Sequence, residues 1–405
     1  MLVIFASPFY KASVGQFVEA AVNLPDVTLA VISQDPPDAL PHWLRHRVAY
    51  QQVADSLSAD HLTWAAERLA SRFGRVHRIL AVNEQIQVPV AEVRARLGVE
   101  GMSTEVIRDF RDKGRMKSRF REAGVPCARH RSATSAEEAW EFIEEVGFPV
   151  CVKPVDGAAA QATFRVDGGD DFREILRASG PSAERPLQIE EFVVGEEHSF
   201  ETLSLGGEHR WHSLTHYHPT PLNVVSNPWI QWKIVLPREI DAPVYDDIRA
   251  AGRAALDALG METGLTHLEW FRRADGSLAI GEVAARPPGA QIVTMMNRAN
   301  DIDIFVIWSK LMIYGELTLP AERQYACGTA FLRGLGGGRV KDVHGIDEVL
   351  LDLGDMVTDV SIPQPGQAAG TTYEGEGFVL IRHPQTSVVE DALDYIINKV
   401  RVELI

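Results

Sequence analysis

A chain of 405 residues is too long for one ordinary hydrophobic core, so two or three domains are expected. Its 45% hydrophobic and 24% charged residues describe a soluble globular protein and exclude a disordered or fibrous one. A formal charge of −16 argues against nucleic acid as the main partner, since a phosphate backbone needs a basic face, but it leaves room for a nucleotide, which needs only a few local cations.

The first six residues are apolar but short and carry no basic leader, so they read as a strand and not as a signal peptide. Residues 1–33 form a βαβ pattern: a strand at 2–6, a helix through 16–22 and a strand at 27–33. Helical apolar spacing follows at 60–73 (Leu62, Ala65, Ala66, Leu69, Phe73), then a buried strand at 77–82 and a helix at 88–97 closed by Gly98. Alternating strands and helices imply a doubly wound parallel sheet. The turn after the first strand, Ser7-Pro8-Phe9, carries no Gly-x-Gly-x-x-Gly, so this unit is expected to be a scaffold or a wall of a substrate site.

The composition shifts near residue 103. Residues 103–123 read as one charged helix stopped by Gly124 and Pro126, and 137–146 as a second. An apolar strand at 148–155 contains Lys153. The small-residue loop after it, at 156–162, either brings backbone N–H groups close to phosphate oxygens or is an ordinary hairpin loop. A returning strand follows at 162–166. Strands at 187–193 and 199–205 flank a turn at Gly195-Glu196-Glu197. Residues 207–237 look least regular. Their four histidines, His209, His212, His216 and His218, lack a helical His-x-x-x-His with an acidic partner, so a substrate-facing surface or plain packing is expected there and not a metal site. An amphipathic helix at 244–259 leads into residues 264–289, which read as two strands hinged on a two-residue Asp275-Gly276 turn. That register sets Glu269 opposite Glu282, with His267, Ala284 and Arg286 on the same face. Facing carboxylates repel unless a cation lies between them, and Mg²⁺ takes one or two carboxylates plus substrate phosphates. Two solvated carboxylates on an exposed sheet are the alternative. Beyond residue 315 the pattern is strand-rich, with strands at 326–333, 357–361 and 377–383 and a closing helix at 387–400. The glycine-rich stretch 334–339 is followed by no helix and reads as a connection. No apolar run approaches the roughly 18 residues of a membrane span. Cys127, Cys151 and Cys327 are too scattered for a disulfide framework or a zinc site, which suits a reducing cytoplasm.

Four of these stretches together resemble the ATP-grasp superfamily, the ATP-dependent carboxylate–amine ligases and their relatives, L-amino acid ligases included. The likeness is specific over residues 75–315 and looser at both ends. In Asp112-Lys113, followed by Met116-Lys117 and Ala123-Gly-Val-Pro126, it implies that Lys113 reaches the nucleotide phosphates, with Lys117 as the alternative. In Phe148-Pro-Val-Cys-Val-Lys153 it implies a lysine on the α- and β-phosphates, covered by the loop Gly157-Ala-Ala-Ala160, which holds fewer glycines than the family's loop. In Gln188-Ile-Glu190-Glu191-Phe-Val193-Val-Gly-Glu-Glu197 it implies an adenine hinge. The backbones of Glu191 and Val193 would face the purine edge, Glu190 would accept from the exocyclic amine, and Glu197 would hold the ribose. In the hairpin it implies Glu269 and Glu282, thirteen positions apart, as metal ligands, and Arg286 as the group bridging γ-phosphate and substrate carboxylate.

The implied fold is α/β with α+β parts: an N-terminal doubly wound parallel-sheet domain (1–105), a central ATP-grasp module (106–315, subdomains 106–186 and 187–315) and a C-terminal strand-rich lid domain (316–405). The implied activity is ATP- and Mg²⁺-dependent (Mn²⁺ as the alternative ion). It would join a small carboxylate, an amino acid first of all, to an amine through an acyl-phosphate, releasing ADP and phosphate. The partners would be small-molecule carboxylate and amine substrates, with no nucleic acid or membrane involved and a homodimer as the expected assembly. No Ser-His-Asp or Cys-His set is evident, in keeping with chemistry that needs no side-chain nucleophile. Two alternatives remain. One is formate-dependent transformylation or carboxylation. The other is a non-catalytic nucleotide-binding subunit, motivated by the altered loop and by Ala284 where many members carry a third, asparagine ligand.

Overall fold

The computed structural model describes residues 1–153, 164–227, 229–319 and 322–405. Its first sheet is parallel, in the spatial order Ala49–Gln52, Thr28–Ser33, Leu2–Ala6, Val76–Leu80. Every residue of Leu2–Ala6 is apolar because the strand is covered on both faces. Val3 and Phe5 enter one core with helix Ala12–Val22, while Leu2, Ile4 and Ala6 enter another with helices Ala59–Phe73 and Gln87–Leu97. The chain leaves its first strand in one direction and returns on the other side as Val76–Leu80. The carboxyl-end crevice, where open α/β sheets bind ligands, therefore opens at Ser7 and Asn83, whose side chains are joined by a 2.8 Å hydrogen bond from Ser7 Oγ.

The expected single helix at 103–123 is two helices, Thr104–Arg111 and Lys113–Glu122. Asp112 breaks them: its backbone is extended and its carboxylate accepts from the Arg115 N–H, so it caps the second helix. An antiparallel four-stranded sheet follows, in the order His130–Ala133, Leu187–Glu191, Val150–Lys153, Phe164–Val166. Helices Ala136–Val146 and Gly169–Ser179 close its core through Phe142 and Phe172. Because Leu187–Glu191 lies inside this sheet, a boundary at residue 186 would cut it.

The large sheet has eight strands, ordered Leu278–Ala284, Gly264–Arg272, Glu196–Leu205, Glu208–His218, Trp232–Leu236, Ala326–Leu332, Gly377–His383 and Val357–Ser361. Two expectations change here. The described part of 207–237 is largely regular: a long strand Glu208–His218, a short helix Pro221–Ser226 and a second strand Trp232–Leu236. Nor is the C-terminal segment set apart from the central sheet: Val340–His344 and Arg401–Leu404 form a small sheet of their own, but Ala326–Leu332 pairs directly with Trp232–Leu236 and carries the central sheet into this segment. Helix Asp246–Leu259 packs on one face through Ile248, Ala255 and Leu256 against Phe200, Leu214 and Leu268. On the other face, helices Ile292–Asn300 and Ile304–Tyr314 form one continuous core with Phe5 and Phe17 of the N-terminal unit. Phe17 meets Phe305 and Trp308 edge-on at 4.8 and 5.0 Å between ring centroids. Among the described residues no helix is long and apolar enough to cross a membrane, and none of the three cysteines forms a disulfide.

Candidate active site

Glu269 does face Glu282, and His267 faces Ala284, but not by the expected turn. The last paired residues are Arg272 and Leu278, so residues 273–277 form a longer loop, closed by the Arg273 N–H on the Ser277 carbonyl at 2.8 Å. Asp275 accepts from the Ser277 N–H and hydroxyl, and Gly276 takes a φ of 83° that favours glycine. This loop shifts the register by one residue. A β-bulge between the Trp270–Ile280 and Glu269–Glu282 pairs shifts it back, leaving Gly281 without an opposite residue. Loop and bulge cancel, so the two acids still meet.

Lys113, at the start of its helix, forms an ion pair with Glu282. Desolvation works against its charge, but Glu282, Glu269 and Glu190 outweigh it and hold the lysine above its usual range. Burial also opposes ionisation of Glu269, and is outweighed by His267, Lys113 and Arg286, so that carboxyl lies below the usual range. Arg286, just past the hairpin, donates from Nη2 and Nε to one Glu84 oxygen at 2.8 and 3.2 Å, and from Nη1 to the Pro287 carbonyl at 2.9 Å. Glu84 also pairs with Arg111. It stands at the carboxyl end of the parallel sheet, and the N-terminal unit thereby orients the hairpin's arginine. The sequence signal for Glu84 is its place just after the fourth parallel strand.

Beneath Glu269 lies a polar network that the sequence reading missed. Glu201 is fully buried and accepts from Ser199 Oγ at 2.6 Å and Thr215 Oγ1 at 3.4 Å. His267 Nδ1 is 2.9 Å from Glu201 Oε1, and its Nε2 is 3.7 Å from Glu269 Oε1. Burial disfavours the imidazolium, but the carboxylates on either side raise His267 to about 9. The available signal was an acid in the middle of the otherwise buried strand Glu196–Leu205, on the parity that faces His267. From the C-terminal segment, Tyr373 packs edge-on to Trp232 at 4.7 Å and is pushed up to about 12 by burial, then by Glu374, Glu269 and Glu197. The four histidines of 209–218 are elsewhere. His209 binds Asp257, His212 stacks on Phe200 and His216 contacts Tyr245. These three pack on the face covered by helix Asp246–Leu259, behind the carboxylates, whereas His218 is exposed beside Lys233 and Glu390.

At the expected hinge, Glu190 is paired with buried Lys117 at 3.0 Å. Lys117 therefore points away from the phosphate role held open for it and into the protein. The Glu191 carboxylate is held by Arg129 at 3.0 Å and Arg273 at 3.4 Å, and these cations overcome its desolvation and lower it. The Glu191 N–H donates to the Arg129 carbonyl at 2.9 Å and is not open to a ligand. Val193 lies beyond the strand end, half-buried. Glu197 is only 7% exposed. Burial, then repulsion from Glu269, raises its carboxyl well above the usual range. Gly157, Ala160 and the Lys153 side chain lie outside the described residues, though Lys153 ends strand Val150–Lys153, whose neighbour Leu187–Glu191 carries Glu190.

Among the described residues no group of three or more His, Cys, Asp or Glu side chains converges as a ready metal cage. The facing Glu269 and Glu282 instead fit Mg²⁺, which commonly uses one or two carboxylates and completes its shell with waters and substrate phosphates. That donor set does not suit a structural zinc.

A family model for the ATP-grasp domain matches residues 118–300. The chain is 24% identical over 312 residues to an L-arginine-specific L-amino acid ligase of Bacillus subtilis, covering 76% of this chain and 74% of that one. It superposes on the crystal structure of an L-amino acid ligase from Bacillus licheniformis with a TM-score of 0.76 at 17% identity, covering 100% and 98% of the two chains. For a carboxyaminoimidazole ribonucleotide synthase from Aspergillus clavatus complexed with ATP, the TM-score is 0.68 at 18% identity over 98% and 97%. The chain contains an ATP-grasp domain. Its curated relatives include amino acid ligases, at low identity.

Proposed function

We propose that this protein joins a small carboxylate, most simply an amino acid, to an amine, using ATP and Mg²⁺ and releasing ADP and phosphate. The carrying observation is the convergence of Glu269, Glu282, Lys113 and Arg286 from three parts of the chain, with Glu84 orienting the arginine. Glu269 and Glu282 would hold Mg²⁺, which when bound neutralises phosphate oxygens. Lys113 and Lys153 would bind the phosphates, with the loop at Gly157 and Ala160 over them. Glu190 and Val193 would receive the base and Glu197 the ribose. A substrate carboxylate oxygen attacks the γ-phosphorus as the bond to the β-phosphate oxygen breaks, giving acyl-phosphate and ADP. The amine then attacks the acyl carbon, loses a proton and expels phosphate. Arg286 presents a planar fork of donors to the carboxylate and the transferring phosphoryl group, so positioning and charge stabilisation supply the catalysis. The second substrate would enter from the crevice beside Ser7 and Asn83.

The test is incubation with ATP, Mg²⁺ and pooled amino acids, following nucleotide products and new amides by mass spectrometry. ADP with an amide is expected. AMP and pyrophosphate would sink the acyl-phosphate route, and tight ATP binding without turnover on any pool would favour a binding subunit.

A further inference from the structure

Helix Lys113–Glu122 presents Lys113 and Lys117 one turn apart on the same side. Lys113 goes to Glu282. Lys117, with 1% of its side chain exposed, is among the largest fully buried side chains of the protein. Its Nζ donates to the Ile280 carbonyl at 3.1 Å and lies 3.0 Å from Glu190 Oε1. These acceptors belong to different sheets: Ile280 sits beside the bulge that aligns Glu282, and Glu190 is in the small sheet. The chain just past the same helix is stitched to the same point, since the Ile280 N–H donates to the Pro126 carbonyl at 2.8 Å. A buried lysine–glutamate pair is a poor way to gain stability, because desolvation of both groups offsets their attraction and an apolar side chain would fill the space as well. Its value lies in fixing a direction.

We propose that Lys117 is a positioning residue that sets nucleotide specificity by holding Glu190 as a fixed, acceptor-only carboxylate at the base end of the site. This rests on the reading of Glu190 as the group facing the purine. Adenine offers an amino donor at the edge where guanine offers a carbonyl acceptor. An ionised carboxylate can only accept, so it binds the first and repels the second. Without the Lys117 cation the ionised form of that carboxyl group is less favoured, and a protonated carboxyl can donate to guanine. Lys117 thus selects adenine without touching it, and ties that choice to the strand that carries Glu282.

The test is equilibrium binding of ATP and GTP by calorimetry, in the presence of Mg²⁺ and without other substrates, for the full chain, Lys117→Met, Glu190→Gln and the double variant. The parent chain is expected to prefer ATP. Lys117→Met should weaken ATP by about tenfold or more and narrow the ATP/GTP ratio, with an unchanged or higher melting temperature. In the Glu190→Gln background, the Lys117 change should leave the ratio where it is. An unaltered ratio in folded Lys117→Met, or equal losses for both nucleotides, overturns the assignment, as does full additivity in the double variant. Should Lys117→Met not fold, Glu190→Gln alone decides, since it keeps the Ile280 contact and a retained full preference for ATP refutes the role. Because binding is read without turnover, selective ATP binding with no ligation would overturn the ligase reading and leave this assignment standing. A parent chain that binds both nucleotides alike would overturn this one.

Discussion

Glu269 and Glu282 occupy facing positions in unequal surroundings. Glu269 rests on His267, which rests on buried Glu201, while Glu282 meets Lys113 at the surface of a helix start. Glu282→Gln keeps the shape and removes the charge, so kcat should fall by at least roughly a hundredfold while the melting temperature stays put. Activity near the parent level would remove the hairpin from the chemistry. Glu84 is the second test at this scale. It never touches the hairpin backbone, but it holds the guanidinium of Arg286 by two hydrogen bonds. Glu84→Gln should lower kcat/KM by roughly ten- to a hundredfold through misplacement of Arg286. Unchanged steady-state kinetics would mean that substrate alone orients the arginine.

At the scale of elements, the hairpin works because two irregularities compensate. A Cβ at Gly281 would meet the Phe271 ring at 3.0 Å and the Glu269 carbonyl at 3.3 Å, so Gly281→Ala presses on the bulge beside both acids. At Gly195 a Cβ would lie 2.4 Å from the Arg272 carbonyl oxygen, where only backbone movement can relieve it. Gly195→Ala should therefore cost more in denaturant melts, on the order of 2–3 kcal/mol against about 1 for Gly281→Ala. Gly281→Ala should in turn lose more activity per unit of stability. The reverse ranking in paired melting and turnover assays would refute the compensation. Behind the same strands, His198 packs against His216 at 4.7 Å and Trp270 at 4.5 Å, with Tyr245 on His216 and with His218 and Arg272 nearby. Burial first, then repulsion from His216, His218 and Arg272 for His198 and from His218 for His216 as these imidazoles take up protons, lowers His198 to about 3 and His216 to about 4. Since these lie below the roughly 6.5 of an unfolded chain, the unfolded state binds more protons as pH falls from 6.5 towards 4, and stability falls with it. His198→Phe should flatten that slope in melting temperatures measured across the interval. A slope identical to the parent's would remove His198 as its source.

For the whole molecule, the decisive feature is that one core spans the N-terminal sheet and the large sheet. Phe17 on the first helix sits against Phe305 and Trp308, and Arg78 Nε donates to the Met312 carbonyl at 3.2 Å. The same packing sets Glu84 beside Arg286. Phe17→Ala should cost about 3–5 kcal/mol in chemical denaturation and, on the ligase reading proposed above, also raise the apparent KM for the carboxylate. Loss of stability with unchanged KM would show that the Glu84–Arg286 link does not depend on this interface.

Local pattern sufficed for much of this. Leu2–Ala6, the first helices and the hairpin strands announce themselves through periodicity, and Lys113, Glu269, Glu282 and Arg286 through motif spacing, because such signals depend on neighbours within a few residues. The Asp112 break had a local signal too, an acidic capping residue, hidden in a run of charges that reads as continuous helix. Other features had no local signal. Lys117 reads as a surface lysine until Ile280 and Glu190, far along the chain, close over it. Glu201 gains its meaning only from His267 on the neighbouring strand, and Glu84 only from Arg286. The facing of Glu269 and Glu282 was read correctly from a turn the chain does not use, since the loop and the bulge each move the register by one residue in opposite senses. Sequence thus determined which residues are candidates for the chemistry and on which elements they lie. Tertiary structure decided which charges are buried together, because desolvation and long-range pairing belong to the packed chain and to no segment of it.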